Sequence, residues 1–190
     1  QLAAMRFEGG KLMYRLDPED PLSIKAVADC ALAINDLHRH GLYAFLEPMS
    51  VRRKPDGGYE TVKTVEALAK DAGAAAALGE SSARTFLKLS YTAGYERVAR
   101  ATTLPILMLG GPPREDPTST LEDFARGMRA AHNVRGVMVG RNVTFAPRED
   151  PRAVAAAVAA IVHQGAGLDE ALETLHRERN AGMDALAAWR

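Results

Sequence analysis

Arg84-Thr-Phe-Leu-Lys-Leu-Ser-Tyr91, RTFLKLSY, reads as a short buried strand interrupted by one ammonium group. Period-two alternation sets Phe86, Lys88 and Ser90 on one face and Leu87, Leu89 and Tyr91 on the other. Both faces carry large apolar groups, the pattern of a strand covered on two sides in a parallel sheet. An isolated buried charge is costly, and a buried lysine usually answers by releasing its proton. An ordinary lysine titrates near ~10.4 and is almost wholly protonated at neutral pH. Desolvated, it becomes an amine nucleophile able to form a Schiff base with a ketone or aldehyde. The competing reading is a salt bridge from Lys88 to a carboxylate such as Glu47.

On either side of this strand the pattern alternates. Strands are expected at 11–16 (KLMYRL), 42–47 (LYAFLE, ended by Pro48), 85–90, 105–109 (PILML) and 136–139 (GVMV). Helices are expected at 22–40, stopped by Gly41, and at about 61–78, 95–101 and 119–132. Two more are expected at 151–162 and 168–189. Ser119-x-x-Glu122 suits a capping box, and Asp150-Pro151 suits an N-cap followed by an N1 proline. The stretch with Pro55, Gly57 and Gly58 reads as a polar loop.

Short strands alternating with helices indicate right-handed βα units around a parallel sheet, hence an α/β protein. An open doubly wound sheet and a (β/α)₈ TIM barrel both fit. The G-x-G-x-x-G and G-x-x-x-x-G-K-[ST] fingerprints are absent. Polar residues at many strand ends favour the barrel, whose chemistry sits at the carboxyl ends of its strands. A barrel needs eight strands and five are legible. The expectation is therefore one domain over residues 1–190 that carries strands 4–8, the C-terminal five βα units of a barrel, with a terminal helix at about 168–189. A self-contained five-stranded sheet is the alternative.

Composition narrows the function class. The 190 residues carry 24 Lys plus Arg against 24 Asp plus Glu. Zero net charge gives no reason to expect nucleic acid or an anionic membrane as partner. The single cysteine, Cys30, has no second cysteine to bridge and suits a reducing cytoplasm. The alanine-rich run 153–162 is far short of a membrane span. His38, His40, His132, His163 and His176 fall on helices or their ends, so no metal or other cofactor is expected. A leucine stripe at Leu168, Leu172, Leu175 and Leu186 either packs on the domain's own helices or joins a second copy into a homo-oligomer.

The candidate site residues lie at strand ends. Glu47 shares parity with Tyr43 and Phe45 and is a candidate proton carrier beside Lys88. Arg15 and Asp17 alternate with Met13 and either bind substrate or pair with each other. Gly110 and Gly111 follow the fourth strand; Gly140, Arg141 and Asn142 follow the fifth. In a barrel these are the turns after strands seven and eight, the usual phosphate site of the fold.

The segments AFLEP, FLKLSY, LPILMLGG and GVMVGRN, with the later Asp150-Pro151, together resemble the class I aldolases of the deoxyribose-phosphate and tagatose-bisphosphate aldolase superfamily. The nearer likeness is to aldolase-like (β/α)₈ proteins of bacterial inositol and sugar catabolism. The resemblance covers about residues 12–162. It implies that Lys88 is the Schiff-base lysine on strand six, that Glu47 is the strand-five acid, and that Gly110–Gly111 and Gly140–Asn142 are phosphate loops. The function expected from the residues and the resemblance together is a metal-independent carbon–carbon lyase acting on a phosphorylated ketose or keto-sugar acid, with Arg15 and the two glycine loops holding anionic groups. A non-catalytic sugar-phosphate-binding barrel, or an isomerase or synthase on the same fold, is the alternative.

Overall fold

The computed structural model of the chain describes residues 1–179 and Ala181. It forms two compact units, Gln1–Leu107 and Met108–Arg190. The strands β1 (Gly9–Leu16), β2 (Tyr43–Arg53), β3 (Tyr59–Thr61), β4 (Thr85–Ser90), β5 (Ile106–Leu109) and β6 (Val134–Met138) follow the order β1-β2-β4-β5-β6, with β3 attached to β2.

The first unit holds β1 (Gly9–Leu16), α1 (Leu22–Arg39), β2 (Tyr43–Arg53), β3 (Tyr59–Thr61), α2 (Val65–Ala76), β4 (Thr85–Ser90) and α3 (Tyr95–Arg100). β1 and β4 flank β2, both parallel to it. One sheet face lies under the helices and is dry: Tyr14, Ala44, Leu46, Leu87 and Leu89 are buried there with Ile34 and Leu37 of α1 and Leu68 and Ala72 of α2. Truncating a leucine in such a layer costs roughly 2–5 kcal/mol, because a cavity replaces its contacts. The opposite face carries Lys11 and Met13 of β1, Phe45 and Glu47 of β2, and Phe86 and Lys88 of β4. It is only partly covered apart from Glu47.

The expected strand end at Pro48 and the polar loop after it need correction. β2 runs through the proline to Arg53, and the chain reverses over Lys54–Gly58 into β3, antiparallel to the end of β2. Pairing of β2 with β4 covers Ala44–Leu46. Pro48 therefore falls beyond the two-sided part of the ladder, where a missing N–H donor is tolerated.

The second unit holds α4 (Thr118–Met128), β6 (Val134–Met138), α5 (Arg141–Thr144), α6 (Pro151–Gln164) and α7 (Leu168–Glu178); β5 (Ile106–Leu109) crosses into it. Asp150 caps α6 as expected, accepting from the Arg152 amide. The expected capping box at Ser119 does not form. The helix starts one residue earlier, and Asp116 accepts from the Thr118 amide at 2.8 Å. Ser119 Oγ instead accepts from Arg114 at 2.8 Å. Pro117, with its fixed φ, pre-sets the earlier start. Of the leucine stripe, Leu175 is buried where α7 packs on α6 and α4; Leu186 lies outside the described residues. No helix among the described residues is long and apolar enough to cross a membrane.

Candidate active site

The register of the first unit brings three charged side chains to one point. Phe45 of β2 pairs with Phe86 of β4. Two residues further along each strand stand Glu47 and Lys88, on the same face by parity. Lys88 Nζ donates to Glu47 Oε2 at 3.1 Å. Lys11 Nζ of β1 donates to the same oxygen at 3.0 Å. The side chains of Glu47 and Lys88 are 12% and 17% exposed, whereas that of Lys11 is 40% exposed. Glu47 and Lys88 thus form the enclosed pair, with Lys11 towards solvent. Below them, Phe45 and Phe86 stack at 5.4 Å between ring centroids, and Tyr43 meets Phe86 edge-on at 5.7 Å. The Phe45–Phe86 stack forms an aromatic floor two residues before Glu47 and Lys88 on the same face.

Burial alone would raise the Glu47 carboxyl. The hydrogen bonds and charges of Lys11 and Lys88 outweigh burial and hold it below its ordinary value. One carboxylate thus faces two amines, and its single charge cannot neutralise both. Chemically, the arrangement sets an amine at Lys88 and a proton acceptor at Glu47 one hydrogen-bond length apart.

Lys11 is the residue that strand-end reasoning missed. On β1 it lies opposite Phe45, one step below Glu47, which pairs with Met13. Its long side chain climbs that step. Parity places Lys11 on one face with Met13 and Arg15, of which Arg15 lies nearest the carboxyl end of β1.

The remaining candidates fall elsewhere. Arg15 is exposed on the β1 face that carries Lys11, opposite Met49. Asp17 is buried and its carboxylate accepts from the backbone amides of Glu19 and Arg53, at 3.1 and 3.2 Å. Its own amide donates to Ser23 Oγ at 2.9 Å. Asp17 thus ties the end of β1 to the entry of α1 and the end of β2. Among the described residues no ion pair joins Arg15 to Asp17.

In the second unit the two glycine turns are packed together. Asn142 is buried, and its Nδ2 donates to the Pro112 carbonyl at 2.8 Å. A side chain on Gly110 would collide with the Asn142 carboxamide, so glycine is required for this close approach. Gly111 adopts φ 73°, a left-handed conformation that favours glycine. Arg141 is exposed at the start of α5. Among the described residues no group of three or more His, Cys, Asp or Glu side chains is placed to hold a metal ion.

The chain is similar to known proteins over most of its length. An uncharacterized aldolase of Saccharolobus solfataricus is 32% identical over 170 residues, covering 85% of this chain and 56% of that protein. The crystal structure of Cgl0159 from Corynebacterium glutamicum superposes with a TM-score of 0.80 at 26% identity, covering 87% of this chain and 55% of that one. A Schiff base forming fructose-1,6-bisphosphate aldolase shares the fold, with a TM-score of 0.66 at 23% identity over 85% of this chain and 61% of that one. This chain thus spans little more than half the length of the relatives it matches. The family model described as Cgl0159-like matches residues 1–162, and the chain belongs to that family.

Proposed function

We propose that this chain carries the amine chemistry of a class I aldolase, which makes or breaks a carbon–carbon bond through a Schiff base on Lys88. The observation that carries this reading is the convergence of Lys88 and Lys11 on one oxygen of Glu47 above an aromatic floor. The aldolase relative and the Schiff-base-forming structural neighbour support it.

The chemistry follows from the groups. Lys88 Nζ, as the neutral amine, attacks a ketone carbon, and the C=O pair moves onto oxygen. Glu47 passes to that oxygen the proton it drew from the Lys88 ammonium, then takes one from the new C–N nitrogen and gives it to the hydroxyl, so water leaves and an iminium remains. In cleavage the substrate's β-hydroxyl gives up its proton to the base, the adjacent C–C bond breaks, and its electron pair flows into the iminium to give an enamine. Protonation of the enamine and addition of water reverse the imine and free Lys88. Lys11 provides the second cation on Glu47 and keeps the carboxylate ionised, ready to accept a proton.

The substrate class proposed is a phosphorylated ketose or keto-sugar acid, in a reaction that needs no metal. Gly110–Gly111 and Gly140–Asn142 are the proposed anion-binding turns, with Arg141 exposed beside them. Within the aldolases, the proposed relationship is to the deoxyribose-phosphate and tagatose-bisphosphate group. The test is borohydride reduction in the presence of a ketose phosphate, followed by peptide mass mapping. A substrate-derived adduct on the peptide bearing Lys88 is expected. A chain that turns over substrate yet gives no adduct, or carries it elsewhere, sinks the reading.

A further inference from the structure

One pentapeptide occurs twice in the second unit. Pro113-Arg-Glu-Asp-Pro117 follows the glycine turn after β5, and Pro147-Arg-Glu-Asp-Pro151 follows the one after β6. The copies share one hydrogen bond where each meets its helix, although α4 starts after its proline and α6 at it. Asp116 accepts from the Thr118 amide at 2.8 Å and Asp150 from the Arg152 amide at 2.9 Å, seating α4 and α6. Seating a helix needs only the aspartate and the proline. The arginine and glutamate of each copy are surplus to that task.

Their partners differ in a complementary way. In the first copy Arg114 turns onto its own helix, at 2.8 Å from Ser119 Oγ and 3.4 Å from Asp123. In the second copy Glu149 is taken by Arg179, at 3.0 and 2.5 Å. The leftover members meet across the two loops: Arg148 Nη2 lies 3.1 Å from Glu115 Oε2. Among the described residues the turns are therefore linked by the part-buried Asn142–Pro112 hydrogen bond and by the exposed Arg148–Glu115 ion pair.

We infer that Arg148 and Glu115 form a clasp: as positioning residues, they hold the Gly110–Gly111 and Gly140–Arg141 turns at the spacing that binds a phosphoryl group, and so set its affinity. This rests on the reading of those turns as an anion site. The two side chains are 74% and 73% exposed. A pair so open to solvent is a weak, salt-screened link. The expected effect is correspondingly graded, about a two- to fivefold change in affinity.

The test titrates inorganic phosphate into the full chain and follows the amide resonances of Gly111 and Gly140. Glu115→Gln and Arg148→Gln are each expected to weaken binding about two- to fivefold at low salt. The charge swap Glu115→Arg with Arg148→Glu is expected to regain binding to within about twofold, and the differences are expected to vanish near ~1 M salt. A swap as weak as Arg148→Gln would mean that Arg148 touches the anion itself, and the clasp fails. Single variants that bind like the unaltered chain, or an unaltered chain that shows no phosphate response, also overturn it. Imine trapping on Lys88 with a phosphate-free ketone is scored separately. A label there with phosphate bound and a silent clasp refutes only the clasp; an unaltered chain without a phosphate response refutes the anion-site reading along with it; a working clasp with no label refutes only the Schiff-base reading.

Discussion

Of the buried carboxylates in the first unit, Glu47 and Asp71 face opposite sides of one sheet, and the groups that replace solvent around each decide what it can do. Glu47 lies on the partly covered face and accepts from two ammonium groups. Asp71 of α2 lies under the helices and accepts from the amide and hydroxyl of Ser50, at 2.8 and 2.6 Å. Ser50 follows Glu47 by three residues on β2, so parity turns it to the other face. Burial raises the Asp71 carboxyl, and its hydrogen bonds to Ser50 recover only part of the shift. Full charges on the partner side offset burial at Glu47; neutral dipoles do not at Asp71. The first acid is the proton carrier of the proposed function; the second fastens α2 to the end of β2.

The largest effect that would break this contrast concerns Lys88. Lys88→Ala removes the nucleophile itself, so turnover is expected to fall by at least about three orders of magnitude and imine trapping to vanish. The fold is expected to survive, because Glu47 keeps Lys11. Circular dichroism and a urea midpoint on the same preparation separate lost chemistry from lost structure. A Lys88→Ala variant that cleaves substrate at the original rate ends the proposal.

Glu47→Gln keeps the shape but cannot accept a proton. A loss of about 10²–10⁴ in kcat is expected, the usual range for a general acid–base group. Asp71→Ala should leave kcat within a few-fold, since Asp71 fastens the opposite face. If Asp71→Ala inactivates the chain as strongly as Glu47→Gln while the fold stays intact, the division of labour between the two faces is wrong.

How much of this is legible in the sequence follows from what alternation can carry. Period two sets Lys88 and Glu47 on the faces that meet, and helix-to-strand punctuation gives the order of elements. Parity gives the face of Lys11 but not its reach, which crosses a full step of the ladder to Glu47. Pro48 reads as a strand end because the sequence does not tell where β2 loses its second neighbour. Asp17 reads as a polar strand-end group, and only the folded chain brings the Arg53 amide to its carboxylate. Asp71 sits between Lys70 and Ala72 in an alanine-rich helix. Its i, i+3, i+4, i+7 companions Leu68, Ala72 and Ala75 put it on the buried stripe, yet composition alone suggests a solvated acid. The glycine turns are legible, but their joining by Asn142 is tertiary.

Stability gives the next smaller effect. Asp71→Ala leaves the Ser50 amide and hydroxyl without their partner in a buried place. About 1–3 kcal/mol of destabilisation is expected, read as a lower urea midpoint at unchanged slope. Asp71→Asn, which keeps the shape and one acceptor oxygen, is expected to cost less. Equal losses in the two variants would show that packing, and not the hydrogen bonds, holds α2 to the strand.

The smallest and most discriminating effect is the pH dependence of stability, because the two acids must act with opposite sign. Glu47 is held below its ordinary value in the folded chain. Its contribution is present above the unfolded-state pKa of a glutamate, near ~4.3, and is lost as pH falls through the lower folded value. Asp71 is raised in the folded chain. The folded state therefore binds its proton more tightly, and its contribution is full below the unfolded-state aspartate value near ~3.9 and is lost as pH rises through the folded value. Urea midpoints taken from about pH 3 to 7 on the unaltered chain, Glu47→Gln and Asp71→Asn separate the two. Glu47→Gln is expected to flatten the loss of stability on the acid side. Asp71→Asn is expected to remove a decline that sets in as pH climbs above about 4, so that the variant gains relative to the unaltered chain towards neutrality. Parallel midpoint curves for the unaltered chain and Asp71→Asn would show that Asp71 is not raised, and the two faces would then differ in packing alone.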